Sequence, residues 1–271
     1  MNAPEFLEIF PEPKPLIGMI HVQALPGTPK NVLSVSEIVA QAVKEAKILS
    51  ENGMQAIMLE NMHDVPYLNR EVGSEVVAAL SRISAEVRAA TDLPLGLQIL
   101  AGANKAALSV ALAAEFQFIR AEGFVFGHMA DEGLLQSDAG ELLRFRKNIG
   151  AEHIRIFTDI KKKHSSHAMT ADVSINDTVA AAEFFLSDGV IITGTHTGKP
   201  VNQEELSSVY SSAKLPVLVG SGVSPEGLSQ IWDHADAFIV GSFFKRDGNW
   251  QNDPDPDRLQ TLLQTRVNLL K

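Results

Sequence analysis

Eight short apolar runs, rich in β-branched residues, recur along the chain. They are PLIGMIHV (15–22), QAIMLEN (55–61), LPLGLQIL (93–100), QFIRAEG (117–123), HIRIFTDI (153–160), GVIITG (189–194), LPVLVG (215–220) and DAFIVGSF (236–243). Unbroken rather than alternating hydrophobicity suits strands covered on both faces, as in a parallel sheet. Between the runs the apolar period changes. Ile38, Ala42, Val43 and Leu49 share one side of a helical repeat, as do Val76, Leu80, Ile83 and Val87. Ser34 with Glu37 reads as a capping box, and Asn52-Gly53 as the stop of that helix. Ser74 opens the next helix, and Asp138 with Glu141 reads as a second box. Ser224-Pro225 and Asp255-Pro256 each set an N-cap before a proline at the first helical position.

Loop lengths give the pattern a direction. The helix-to-strand joints are short: Gly53-Met54, Asp92-Leu93-Pro94, Asp188-Gly189 and Leu215-Pro216. Residues 22–34, 61–73, 124–137, 161–175 and 243–255 form long strand-to-helix loops. Eight alternating units with long loops after the strands predict an α/β fold, a single (β/α)8 TIM barrel over residues 1–271 with its functional face on that side. Residues 1–14 read as an N-terminal extension. A doubly wound open sheet is the alternative, but no linker divides the chain and no internal repeat is present.

Composition narrows the function classes. The 271 residues are 45% hydrophobic and 21% charged, an ordinary globular balance. Net charge is −10, which opposes a nucleic-acid surface, and the run Lys161-Lys162-Lys163 is too short to supply one. With no cysteine there is neither a disulfide framework nor a thiolate site. The start, MNAPEFLEIFPEPKP, carries Glu5, Glu8 and Glu12 and lacks a signal-peptide pattern, and no apolar run reaches membrane-spanning length. A cytoplasmic protein without an integral membrane segment is the expectation. No GxxxxGK[ST] exists, so nucleotide hydrolysis lacks its usual machinery.

Polar residues at the ends of the runs converge on one mouth if the barrel closes. His21, Glu60-Asn61, Gln98, Arg120, Glu122, Asp159, Lys161 and Thr193 hold such places. Strand parity puts Met19 with His21, Arg120 with Glu122, and Phe157 with Asp159 and Lys161. Charges inside a barrel are costly unless paired. Arg120 is therefore expected to pair with Glu60 or Asp159, leaving one carboxylate and Lys161 as an acid–base or carbonyl-polarising pair. Glu60, Glu122 and Asp159 could together take a divalent cation, although no cofactor is required. His21 precedes a loop with Pro26, Gly27 and Pro29 and is a catalytic candidate; His63, His128, His164, His167 and His196 also fall in strand-to-helix loops. After the seventh run, Gly220-Ser221-Gly222 leads into Ser224-Pro225, and the eighth ends Val240-Gly241-Ser242. Bare amides after strands 7 and 8 of a barrel suit a phosphate. Gly220, Ser221, Gly222, Gly241 and Ser242 are thus phosphate candidates, and Asn61, Arg120 and Thr193 further ligand contacts. Close packing of a strand end is the competing explanation for a glycine here.

Several stretches in order carry a family resemblance: GMIHVQALPGTP (18–29), MLENMHDVPY (58–67), FIRAEGFVFGHMADEGLLQ (118–136), DIKKKHSSH (159–167), DGVIITGTHTGKP (188–200), LVGSGVSPEGL (218–228) and GSFFKRDGNW (241–250). In these the sequence resembles the BtpA family (BtpA/SgcQ), over nearly its whole length. The resemblance implies a TIM barrel like that of phosphoribosylanthranilate isomerase. It also implies a link to biogenesis of a membrane complex such as photosystem I, or to sugar utilisation. Gln98 and Ala121-Glu122-Gly123 depart from the pattern expected of relatives. Two functions follow as expectations. One is an isomerase, aldolase or lyase, or glycosyl-transfer enzyme for a phosphorylated sugar or ribosyl compound, able to form homo-oligomers. The other is a non-catalytic assembly factor.

Overall fold

In the computed structural model, which describes residues 4–194 and 200–271, all eight runs are strands of one closed parallel barrel. They are β1 (Leu16–His21), β2 (Ala56–Glu60), β3 (Leu95–Gln98), β4 (Phe118–Ala121), β7 (Arg155–Ile160), β9 (Gly189–Ile192), β10 (Val217–Val219) and β11 (Ala237–Val240). Each pairs with its neighbours in chain order, and β1 closes on both β2 and β11, so the open-sheet alternative is excluded.

Around the barrel run α2 (Val35–Glu51), α3 (Ser74–Ala90), α4 (Asn104–Ala113), α5 (Ala139–Asn148), α6 (Ile175–Phe184), α7 (Gln203–Ser212), α8 (Pro225–Ile231) and α9 (Pro256–Leu269). The caps explain most starts. The Ser34–Glu37 box opens α2, and the Ser224 and Asp255 side chains accept amide hydrogens from the first turns of α8 and α9. The expected box at Asp138 is absent: its carboxylate is drawn away to Arg70 (2.7 Å) and Asn104 (2.9 Å). A tertiary ion pair has won over a local cap, and it anchors the loop after β4.

Strand alternation divides the core in two. Leu16, Ile20, Ile57, Leu59, Leu95 and Leu97 face the helices. Ile17, Met19, Met58, Phe118, Phe157, Leu218 and Ile239 fill the barrel. Two glycines make room for the phenyl rings. A Cβ at Gly96 would stand 2.1 Å from the Phe118 ring, and one at Gly189 would stand 2.7 Å from that of Phe157.

Two features lie beyond the barrel pattern. The segment read as an extension forms α1 (Pro4–Ile9), whose Phe6 and the adjacent Phe10 seal the bottom of the barrel. Phe10 meets Phe118 with ring centroids 5.5 Å apart and Phe157 at 6.3 Å. At the opposite end, two segments read as loops pair into a small antiparallel sheet. It consists of β5 (His128–Ala130), β6 (Gly133–Leu135) and β8 (Ser165–Ser166), in the order β6-β5-β8. No helix among the described residues is long and apolar enough to cross a membrane.

Candidate functional site

A cavity of about 730 Å³ opens at the C-terminal ends of the strands, with Met19 and Ile239 among its apolar lining. Inward positions at the strand tops carry His21, Glu60, Gln98, Arg120, Asp159, Gly220 and Gly241, and Glu122 follows β4. The eight-fold symmetry is broken at β10 and β11, where two glycines replace side chains. Gly220 has packing neighbours: a Cβ there would come within 2.7 Å of Ile191 and 3.1 Å of Thr193, inside the barrel rather than against a helix. A Cβ at Gly241 would press on His21 at 3.2 Å. Close packing therefore accounts for these two glycines, and the same absence of side chains leaves Gly220–Ser224 and Gly241–Phe243 as a largely main-chain wall. Gly222 adopts φ +69°, which favours glycine. The Ser221 hydroxyl oxygen accepts from the Gly194 amide (2.6 Å) and ties this wall to the end of β9. Arg258, in the first turn of α9, completes the wall: its Nε donates to the Phe243 carbonyl (2.6 Å) and its guanidinium lies 4.6 Å from the Phe243 ring centre.

The opposite wall is ionisable. Arg120 holds Asp159 through Nε–Oδ1 and Nε–Oδ2 contacts of 3.1 Å and an Nη2–Oδ1 contact of 2.8 Å, the pairing expected from parity. Asp159 is thus the buried anchor of Arg120, while Arg120 itself lines the cavity. Lys162 bridges Glu122 (3.1 Å) and Glu132 (3.0 Å), which connects the barrel to the small sheet. Burial opposes the charge on Lys162, but the two carboxylates outweigh it and raise its pKa. Burial raises Glu60, against the pull of Arg120 and Lys163, and burial raises Glu122, against that of Lys162. Glu60 is therefore biased toward the protonated form, as a general acid is, whereas Glu122 at 3.1 Å from Lys162 is held as that lysine's partner.

His21 is neutral. Burial is the main cause and Lys245 adds to it, while the Trp250 carbonyl opposes them. Its Nδ1 lies 3.1 Å from that carbonyl, which can only accept, so Nδ1 carries the hydrogen. Nε2 is left as a lone pair facing Glu60 Oε2 at 3.7 Å, too far for a direct hydrogen bond.

Other sequence candidates fall elsewhere. Lys161 adopts φ +48°, which ends the strand alternation, and its Nζ donates to the Val173 carbonyl outside the cavity. Lys162 and Lys163 reach the mouth instead. Asn61 pins loops by accepting from the Leu100 amide (2.7 Å) and donating to Asp64 (2.9 Å). The Thr193 hydroxyl is buried and finds no partner among the described residues. The histidines do not converge: His63 packs at a tilt against Trp250, His128 of the small sheet meets His167 just beyond it, and His164 lines the cavity. His196 lies outside the described residues. With Asp159 and Glu122 each paired to a cation, the three carboxylates do not form a cation cage, and no group of three metal-ligating side chains occurs among the described residues.

Sequence reasoning missed Arg258, which carries no local signal beyond following the Asp255-Pro256 cap. It also missed Lys163, although the lysine run was visible; strand parity continued one residue too far selected Lys161.

Comparison with known proteins places these features in context. The BtpA family model matches residues 12–267. A mitochondrial protein of Caenorhabditis elegans is 46% identical over 264 residues, covering 95% of each chain. The photosystem I biogenesis protein BtpA of Synechocystis is 30% identical over 270 residues, covering 98% of this chain and 93% of its own. Among solved structures, thiamine phosphate pyrophosphorylase from Pyrococcus furiosus superposes with a TM-score of 0.57 at 13% identity, covering 95% and 97% of the two chains. Phosphoribosyl anthranilate isomerase from Thermus thermophilus gives 0.57 at 11%, covering 94% and 99%. At these identities the likeness to the two enzymes is one of fold.

Proposed function

The chain belongs to the BtpA family, and we propose that it is an enzyme acting on a phosphorylated small molecule, a sugar or ribosyl phosphate, at the C-terminal face of its barrel. The supporting observation is the polarity of the cavity: a main-chain and Arg258 wall on the β10–β11 side faces a wall of buried acids and bases. In this reading the amides of Ser221, Gly222, Gly241 and Ser242, with the Arg258 guanidinium, receive the phosphate, while the Gly220 amide is engaged by the Ile192 carbonyl (2.9 Å) and only clears space. Amide hydrogens and a planar cation match phosphate oxygens in charge and geometry. Glu60 exchanges protons with the far end of the ligand. The His21 Nε2 lone pair faces the same space and can accept a proton from the ligand, and Asp159 holds Arg120 ready to stabilise developing negative charge. These parts suit isomerisation, aldol or lyase chemistry, or glycosyl transfer. The names of the two superposed enzymes, both referring to phosphorylated compounds, agree with this class.

Titration calorimetry with inorganic phosphate and ribose 5-phosphate tests the reading, comparing wild type with Arg258→Met. Loss of one charge-assisted contact should weaken binding about tenfold or more. Equal affinity in the two proteins, or binding in neither, overturns it.

The name of the Synechocystis relative supports a second reading, a factor for biogenesis of a membrane complex. Arg120→Met and Glu60→Gln proteins separate the two. If both variants complement a deletion strain fully, the role is non-catalytic.

A further inference from the structure

Two lysines reach the cavity in adjacent positions and have opposite surroundings. Lys162 is clamped between Glu122 and Glu132. Lys163 also lines the cavity, yet its ammonium makes no hydrogen bond and no ion pair among the described residues. Its electrostatic neighbours are Arg120, Glu60, Asp159 and Glu122. Asp159 is already committed to Arg120 and Glu122 to Lys162, so neither is free to become its salt-bridge partner. A lysine that merely served solubility would extend into water. This one lines the cavity, where burial and then the Arg120 charge oppose its protonation against the pull of Glu60, Asp159 and Glu122. In the same cavity, Gln98 Oε1 is a buried acceptor without a partner among the described residues, suited to a hydroxyl of a ligand.

We propose that Lys163 is a nucleophile that forms an imine with the carbonyl carbon of a phosphorylated aldehyde or ketone. This rests on the phosphate-binding reading above and specifies its substrate class: a compound carrying a phosphate at one end, a free carbonyl towards the other, and a hydroxyl for Gln98. The neutral Nζ attacks the carbonyl carbon, and one proton passes from nitrogen to the former carbonyl oxygen, giving a carbinolamine. Protonated Glu60 then donates a proton to that hydroxyl. The C–O bond breaks, water leaves, and the nitrogen lone pair forms the C=N bond. The products are a protonated imine, the Glu60 carboxylate and water, so atoms and charge balance. Burial, followed by the charge of Arg120, lowers the proton affinity of Lys163, and burial raises that of Glu60; the amine and the acid are thus each biased toward the form the step needs.

Reductive trapping tests this. The whole protein is incubated at pH 7 with glyceraldehyde 3-phosphate and cyanoborohydride, which reduces imines to stable secondary amines, and modified lysines are mapped by peptide mass spectrometry. Lys163 should be modified at least about tenfold faster than any other lysine, Lys162 included, whose ammonium two carboxylates hold in place. The Lys161→Arg variant should behave as wild type, and Lys163→Arg should lose the fast adduct. Modification spread evenly over the lysines, or fastest elsewhere, overturns the proposal, and mapping on wild type makes that outcome independent of how any variant folds. A parallel series with phosphate-free glyceraldehyde and with inorganic phosphate as competitor separates the two readings. If Lys163 is trapped equally with both aldehydes and phosphate does not compete, the nucleophile stands and the phosphate site falls. If phosphate binds by calorimetry but Lys163 is not selectively trapped, only the imine falls.

Discussion

Replacing Arg120 with methionine strands a buried charge, and the size of the effect follows from the contacts. Arg120 and Asp159 have side chains only 5% and 1% exposed. They are joined through three nitrogen–oxygen contacts of 2.8–3.1 Å. Removing one partner of such a pair costs about 3–5 kcal/mol, because the other remains ionised without solvent or counter-charge. Replacing both partners with apolar groups costs far less, since the desolvation of both charges disappears with them. Arg120→Met should therefore lose about 3–5 kcal/mol at pH 7, and Arg120→Met combined with Asp159→Leu should recover most of it. Glu60 also loses the cation that most opposes its protonation, so its pKa should climb further. Urea denaturation followed by circular dichroism measures the free energies, provided the slopes agree among variants. A single-variant cost below about 1 kcal/mol, or a double variant as unstable as the sum of the singles, would refute the view that this pair carries its charge through mutual compensation.

Three further outcomes follow from other parts of the molecule. Glu60 has a raised pKa, so the stability associated with its protonated form is present below the unfolded value and lost as pH rises through the folded one. Glu60→Gln should thus be more stable than wild type at pH 8 and no different at pH 4, while losing turnover in any assay established for the protein; destabilisation at pH 8 would contradict this. Burial, with Lys162 and His167, lowers His128 to about 4, so its contribution is present above the unfolded histidine value and is lost as pH falls from about 6.5 towards 4. His128→Gln should flatten the acid limb of a Tm-against-pH curve in that window, and an unchanged limb would count against the buried neutral ring. Phe10→Ala opens the floor between Phe118 and Phe157 and should cost about 3–5 kcal/mol in the same denaturation assay, whereas Phe184→Ala, at 82% exposure, should cost less than about 0.5 kcal/mol.

Much of the barrel was legible locally. Strands buried on both faces read as continuous apolar runs, caps at Ser34, Ser224 and Asp255 are short-range hydrogen bonds, and the two-residue strand repeat brought His21, Glu60, Gln98, Arg120 and Asp159 to one mouth. These features depend on neighbours only a few residues away, so the order of residues alone determines them. Other features depend on partners far along the chain. Asp138 forgoes its cap because Arg70, 68 residues distant, offers a stronger interaction. The N-terminal phenylalanines form a floor only once β4 and β7 present their own rings. The loops after β4 and β7 become a sheet through pairing of Met129 with Ser166. Lys163 rather than Lys161 enters the cavity because the chain turns to a positive φ at Lys161, a reversal that no hydrophobic period reports. The sequence by itself determined the scaffold and the ring of residues at its mouth. Only the tertiary structure decided which charges neutralise one another and which amine has no partner among the described residues, since the energy of a buried charge depends on everything folded around it.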